Sequence, residues 1–453
     1  MSEHPAPEIL DRFLRGELSS CEGGPVLRHL LRGCERCQAA MDPVANLLLS
    51  DEVQRAPEPT VEEVGRMADF YDAALDRAFA AVRREAPRLE REARVTDEAH
   101  AALVAAGLSG VTARGTRRFR GPALCRALLL RSQELRHQNP TEMVRLAQLA
   151  VLTAGNLNAN VHGETRVADL QAQAWAELGN AQRITGDLLA AERALARALT
   201  LFHQGTQDPL LGARLLSLQA SLLGDQRRFG EALELLKEVE ETYELFGESQ
   251  QAGGALVKRG LYTGYAGDAE EAVILLRRGL ATIDAEADPQ LAVAGVHNLA
   301  RFLMDSGRPR EARAILWRHR TFYEQHAERI VLLKRVWLQG QIDAALGQLD
   351  RAACRLAEAL RGFDEARLGY QAALAALDLS EVLLREGKSK MAAGLVEQAA
   401  ETFLALGIAR EAIGALSLLQ QAFEKEVATA TAVQRVAAFF RRLEHNPTAH
   451  FRT

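Results

Sequence analysis

The residues best suited to chemistry stand near the start of the chain: His29, then Gly33-Cys34-Glu35-Arg36-Cys37, with Cys21 upstream. Two thiolates in a Cys-x-x-Cys pair grip one tetrahedral ion from a tight knuckle, and a histidine shortly before them supplies a third ligand. On an unbroken helix His29 and Cys34, five residues apart, would point to different faces. Gly33 relieves this by ending the helix at positive φ and folding the chain back, which returns both thiols to His29. The fourth ligand is then Cys21, with His4 as the alternative, and the expected cofactor is a structural zinc ion. A catalytic zinc needs an open position and a nearby general base, and neither is evident. The competing expectation is a small reduced helical module whose cysteines merely pack.

Little else in the chain carries reaction chemistry. There is no G-x-S-x-G, phosphate-binding loop or H-E-x-x-H, and the scattered histidines lack metal-ligand spacing. No enzymatic activity is expected. The cluster Arg114, Arg117, Arg118 and Arg120 reads as a solvated corner, with Phe119 its only aromatic neighbour, so nucleic-acid contact is not expected. Cys125 and Cys354 lie in apolar helical settings and read as inert core thiols.

Composition narrows the classes further. Five cysteines among 453 residues suit a reduced compartment rather than a disulfide framework. The formal charge of −5 gives no general attraction to nucleic acid or anionic membrane. No leader segment or run of about 20 apolar residues is present, so a cytoplasmic chain without a membrane partner is expected. Aromatics make up only 5% of the chain, which favours helix throughout.

The elements that must position these residues follow a beat. Ala191, Ala232, Ala272, Ala312, Ala352 and Ala392 stand 41, 40, 40, 40 and 40 residues apart. Five before each alanine come Gly186, Arg227, Gly267, Gly307, Gly347 and Gly387. Twelve before it come the small residues Gly179, Ala220, Gly260, Ala300, Gly340 and Ser380. Four after it come Leu195, Leu236, Leu276, Leu316, Leu356 and Val396. A fixed period of this length marks a stacked helical hairpin. The small residue lets the first helix approach the second, the glycine column takes a positive-φ cap between them, and the aliphatic residue is the core knob.

The fullest copy, Trp175-Ala-Glu-Leu178-Gly179 followed by Gly186-Asp187, Ala191, Leu195 and Ala198, resembles the tetratricopeptide repeat (TPR) in a long form similar to those of bacterial regulators that sense peptides or ligands. The resemblance implies an all-α, right-handed α-solenoid of TPR-like hairpins, carrying a small N-terminal helical module. Six repeats span 165–405. A degenerate capping pair precedes them at 119–160, with the pair broken at Asn139-Pro140, and capping helices close the chain at 406–453. Residues 51–118 form a linker and a helical segment, of which 88–118 fit no clear pattern.

The resemblance also implies a concave groove lined by the first helix of each hairpin. Counting from Trp175, its polar occupants are Asn180, Arg183, Arg214, Lys258, His297, Asn298, Arg301, Lys334 and Gln341, with Trp337 beside them. Cationic and amide side chains suit an acidic or carboxylate-bearing protein or peptide. The family's carboxylate clamp is matched in part: Asn180 and Lys258 take clamp positions, whereas Ala176 and Leu218 stand where Lys and Asn are required. Trp337 either anchors an apolar group of the ligand or packs within its own hairpin.

Residues 1–50 form a module of which about residues 5–50, with His29 and the Cys34/Cys37 pair, resemble the zinc-binding domain of bacterial anti-sigma factors, although the gap from His29 to Cys34 is one residue longer than that family's H-x-x-x-C. The expected function is a regulatory scaffold that binds protein or peptide. The alternative is an anti-sigma-like regulator or sensor whose N-terminal module sequesters a transcription factor.

Overall fold

The hairpin columns set the architecture, which a computed structural model shows for residues 5–14, 18, 23, 26, 29, 86–112, 119–136, 138–406, 410–424 and 426–445. Those residues contain helices and no strand. The chain divides into two units, residues 1–207 and 208–453. This division falls inside the run of repeats, after the first of them.

The first unit contains α1 (Pro7–Leu14), α2 (86–106), the single turn α3 (Ser109–Thr112), α4 (Pro122–Glu134), α5 (Pro140–Gly155), the short α6 (Ala159–His162), α7 (Glu164–Ile184) and α8 (Leu188–Phe202). The segment without a clear sequence pattern is thus largely the helix α2, whose Ala99 and Leu103 join Leu128, Met143 and Leu178 in one core. Asn139 caps α5 by accepting from the Glu142 N–H at 3.1 Å, and Pro140 occupies the first turn, where its missing N–H costs nothing. Cys125 is buried in this core and burial pushes its thiol up to about 12, so it is inert. Cys354 corrects the expectation: it is exposed, because the face of its helix that packs inward carries Ala352, Leu356 and Ala359.

The second unit contains α9 (Pro209–Asp225), α10 (Phe229–Leu245), α11 (Ser249–Ala266), α12 (Ala269–Thr282), α13 (Pro289–Asp305), α14 (Pro309–Arg318), α15 (Arg320–His326), α16 (Arg329–Ala345), α17 (Leu349–Glu365), α18 (Gly369–Arg385), α19 (Ser389–Ala405), α20 (Arg410–Glu424) and α21 (Ala430–His445). Each long helix packs on its sequence neighbours, which is the arrangement of an α-solenoid built from TPR-like hairpins. The last helix departs from this order. It packs on α18 as well as on α20, with Phe440 stacked on Phe403 at 4.1 Å between ring centroids.

The columns act as their residue types dictate. All six alanines are fully buried, and the aliphatic residues four positions on are at most 3% exposed. A methyl group added to Gly260 would lie 2.6 Å from Leu276 Cγ and 3.2 Å from the Ala272 carbonyl oxygen. At that crossing only glycine leaves room for the knob, and the equivalent position of other repeats holds nothing larger than Ala220, Ala300 or Ser380. Ser380 meets the same need with a hydrogen bond to the Ala392 carbonyl at 3.0 Å. In the degenerate pair Ser132 does the same toward the Met143 carbonyl at 3.2 Å.

The cap column also holds in all six copies. Gly186, Gly267, Gly307, Gly347 and Gly387 have φ between 70° and 110°, and Arg227 keeps the left-handed conformation at φ 64°. In each copy the following N–H reaches back five residues, as from Asp187 to the Gln182 carbonyl at 2.9 Å and from Lys388 to Leu383 at 2.8 Å. That bond is the signature of a Schellman cap. Asp187 and Asp268 then cap the next helix through their own carboxylates.

Candidate functional site

The second unit holds a cavity of about 420 Å³. Its walls come from α13, α16, α18 and α21, with Tyr265 of α11 at one side. Successive first helices of the hairpins present equivalent positions to it, because the 40-residue register repeats one helix face. Six of the residues expected in the groove line this space: His297, Asn298 and Arg301 on α13, and Lys334, Trp337 and Gln341 on α16.

The other four lie elsewhere. Lys258 sits farther along the same unit and is engaged: its ammonium donates to Ser217 Oγ at 2.9 Å and to Ser221 Oγ at 3.1 Å. Arg214 is exposed. Asn180 and Arg183 belong to the first unit, where the guanidinium donates to Asn180 Oδ1 at 3.0 Å and Asn180 is buried.

One wall of the cavity is saturated. Asp378 is the hub, accepting from Trp337 Nε1 at 2.8 Å, from Gln341 Nε2 at 2.7 Å and from the Arg441 guanidinium. Glu381 accepts from Gln434 Nε2 at 2.9 Å and pairs with Arg385 at 3.3 Å. Burial holds the Glu381 carboxyl above the usual range, against the pull of Arg385. Arg385 also donates to the Ala344 carbonyl at 2.8 Å. Trp337 therefore serves its own fold: its N–H is taken by Asp378 and its ring meets Phe363 edge-on at 5.6 Å.

The opposite wall is open. Lys334 and Asn298 make no side-chain hydrogen bond or ion pair with another described residue, and His297 Nδ1 is buried without a partner. The His297 ring keeps part of its surface in the cavity wall, yet burial, then Lys334 and Arg301, push its pKa down to about 3. It is therefore neutral, with one ring nitrogen able to donate and the other to accept. Arg301 lies over the Tyr265 ring at 5.3 Å, which fixes the guanidinium beside this wall.

Sequence reasoning read the groove as cationic and amide, and the geometry corrects that. Three carboxylates, Asp305, Asp378 and Glu381, share the cavity with Arg301, Lys334, Arg385 and Arg441. Asp378 and Glu381 were legible in principle: they stand 80 residues after Asn298 and Arg301, in the same columns. Gln434 and Arg441 come from α21, outside the repeats, and no register points to them.

The expected zinc site lies mostly outside the described residues, which include His29 but not Cys21, Cys34 or Cys37. Of the arginine cluster only Arg120 is described, and it is exposed. Among the described residues no group of three or more His, Cys, Asp or Glu side chains could hold a metal, and no helix is long and apolar enough to cross a membrane.

The fold class is thus an all-α array of TPR-like hairpins, and solved structures share it at low sequence identity. A Rap protein in complex with competence and sporulation factor is 14% identical, with a TM-score of 0.54 over 71% of this chain and 88% of that one. The apo quorum sensor NprR from B. thuringiensis is 13% identical, with a TM-score of 0.52 over 68% of this chain and 83% of that one. No protein-family model matches the chain, and no curated protein matches it.

Proposed function

We propose that this chain is a regulatory binding protein that takes a peptide, or a short segment of a protein, into the cavity between α13, α16, α18 and α21. The observation that carries this is the asymmetry of the cavity. The donors on the α18 and α21 side are spent on Asp378 and Glu381, whereas Lys334 and Asn298 on the facing helices make no side-chain hydrogen bond or ion pair with another described residue, and His297 Nδ1 beside them is unpaired among those residues. A carboxylate, from a peptide C-terminus or an acidic side chain, suits the ammonium of Lys334 and the amide of Asn298 through charge-assisted hydrogen bonds, with the neutral His297 imidazole beside them. The remaining wall, with Tyr265, Met304 and Leu338, offers apolar surface for a neighbouring side chain.

Two considerations support a binding role over catalysis. Apart from the Lys334 ammonium, the titratable groups that converge here are paired with one another or, like His297, held neutral, and none pairs with a nucleophile. The Rap protein of similar fold was solved with a factor bound, and NprR is a quorum sensor. The corresponding role here is the capture of a signal segment.

The test is selection of peptides with free C-termini from a random library on the full chain, counter-selected on the Lys334→Glu variant. Lys334 makes no side-chain hydrogen bond or ion pair with another described residue, so the variant should fold. Peptides enriched on the wild type alone, rich in carboxylates, are the expected result. Equal enrichment on both proteins would place the binding surface elsewhere.

A further inference from the structure

A second feature lies on the side of the second unit formed by the second helices of the hairpins. Trp317 is 74% exposed, more than any other large hydrophobic residue described. It borders a cleft of about 250 Å³ between α14, α16 and α17, together with Arg313, Arg320, Arg351 and Arg355. Among the described residues the sole carboxylate lining that cleft is Asp343. Arg355 pairs with it, which leaves an excess of positive charge.

The repeat register shows that the fold does not require these residues. The position of Trp317 holds Ala196, Lys237, Arg277, Ala357 and Glu397 in the other five repeats. The position of Arg355 holds Ala194, Leu235, Leu275, Ile315 and Leu395, and that of Asp343 holds Gln182, Leu223, Thr263, Leu303 and Leu383. The fifth repeat thus places an ion pair beside the cleft where three of the other five repeats hold an apolar pair and none holds a charge. The fourth repeat alone has its second helix interrupted, at His319, where α14 ends and α15 begins. Departures of sequence and of backbone therefore converge on one spot.

The cations there are available. Arg313 and Arg318 are exposed and make no hydrogen bond or ion pair with another described residue. Among the described residues Arg351 donates only to Gln348, at 3.3 Å, and Arg320 reaches Glu324 at a loose 3.8 Å. Tryptophan and arginine are the residue types that dominate protein–protein hot spots, because a rigid ring and a planar fork bury much area at little entropic cost.

We propose that this cleft docks a partner protein through a segment that places one or two carboxylates against Arg313 and Arg351 and an apolar side chain over the Trp317 ring. The charge excess selects an acidic segment. The exposure of Trp317 favours a macromolecular partner over a small ligand, which would leave most of the ring in water. This surface is separate from the cavity walled by α13, α16, α18 and α21 and does not depend on that site binding anything.

The test is a displayed library of 14-residue segments panned on the full chain and on two variants, Trp317→Ala and Arg313→Glu. Both residues are exposed, so neither change removes buried packing. Segments that combine Asp or Glu with Leu or an aromatic residue should be enriched on the wild type, weaken by at least about tenfold on each variant, and weaken as salt rises. They should bind the Lys334→Glu variant unchanged, which separates this surface from the cavity. Enrichment that is equal on wild type and Trp317→Ala would overturn the proposal. So would quenching of Trp317 by a single-stranded oligonucleotide that the segments fail to displace, since the occupant would then be nucleic acid.

Discussion

The docking of α21 against α18 closes the cavity, and the ion pair between Arg441 and Asp378 is its polar fastening. Asp378 is 7% exposed and serves three donors, so its replacement by Ala strands an indole N–H, an amide and a guanidinium. An unmade buried hydrogen bond costs about 1–3 kcal/mol, but the adjacent cavity admits water and the Arg441 side chain is 31% exposed. A total near 3 kcal/mol for Asp378→Ala is therefore expected, and about 2 kcal/mol for Arg441→Ala. Because the two share one contact, the double variant should cost less than the sum, with a coupling of about 1.5 kcal/mol. The assay is urea unfolding followed by Trp337 emission, with Trp175 and Trp317 replaced by Phe so that the signal comes from the hub itself. A coupling below about 0.5 kcal/mol would refute the reasoning, because it would mean that α21 is not fastened to α18 through this pair.

Three further outcomes follow from the same structure. Arg227 holds a left-handed conformation that glycine holds in the other five caps, so Arg227→Gly should stabilise the protein by about 0.5–1 kcal/mol in thermal unfolding, and a loss of stability would contradict the cap assignment. His297 has a folded pKa of about 3, below the ordinary histidine value. The unfolded chain then takes the proton first, so stabilisation is complete above about pH 6.5 and is lost as pH falls toward 3. The loss between pH 7 and 5 should reach at most about 2 kcal/mol and should vanish in His297→Gln. For the N-terminal segment, elemental analysis should find about one zinc per chain, released when Cys34 and Cys37 are both replaced by Ser, and an unchanged metal content would remove the knuckle.

The repeat was legible because its physics is local and redundant. Six copies of a buried alanine, a small residue and a left-handed cap impose the same steric demands, and Arg227, the exception in the glycine column, takes the same left-handed conformation. The cavity was half legible. The tetratricopeptide resemblance assigned His297, Arg301, Lys334 and Gln341 to the groove, but attention to cations and amides passed over Asp378 and Glu381 in the same columns. Arg441 and Gln434 could not be read, since a contact made across 63 or 53 residues by a helix outside the register leaves no local trace. Lys258 shows the reverse case: it shares a column with Asn298 and Asp378, but it lies outside the cavity and its ammonium donates to two serines on the neighbouring helix, Ser217 and Ser221. Cys354 was misplaced because an apolar neighbourhood in sequence does not specify which face of the helix a residue occupies.

The central claim is that a carboxylate-bearing segment completes the open wall formed by Lys334, Asn298 and His297. Its most direct measurement is calorimetric titration of one library-selected peptide in two forms, with a free C-terminal carboxylate and with an amidated end, against the wild type and Lys334→Glu. If the terminus is the group recognised, the wild type should bind the free acid at least about tenfold more tightly than the amide, and Lys334→Glu should erase that preference. If the selected peptides instead carry an internal Asp or Glu, the same comparison is made with Asn or Gln in its place. Equal affinity for charged and neutral forms, unaffected by Lys334→Glu, would contradict the claim.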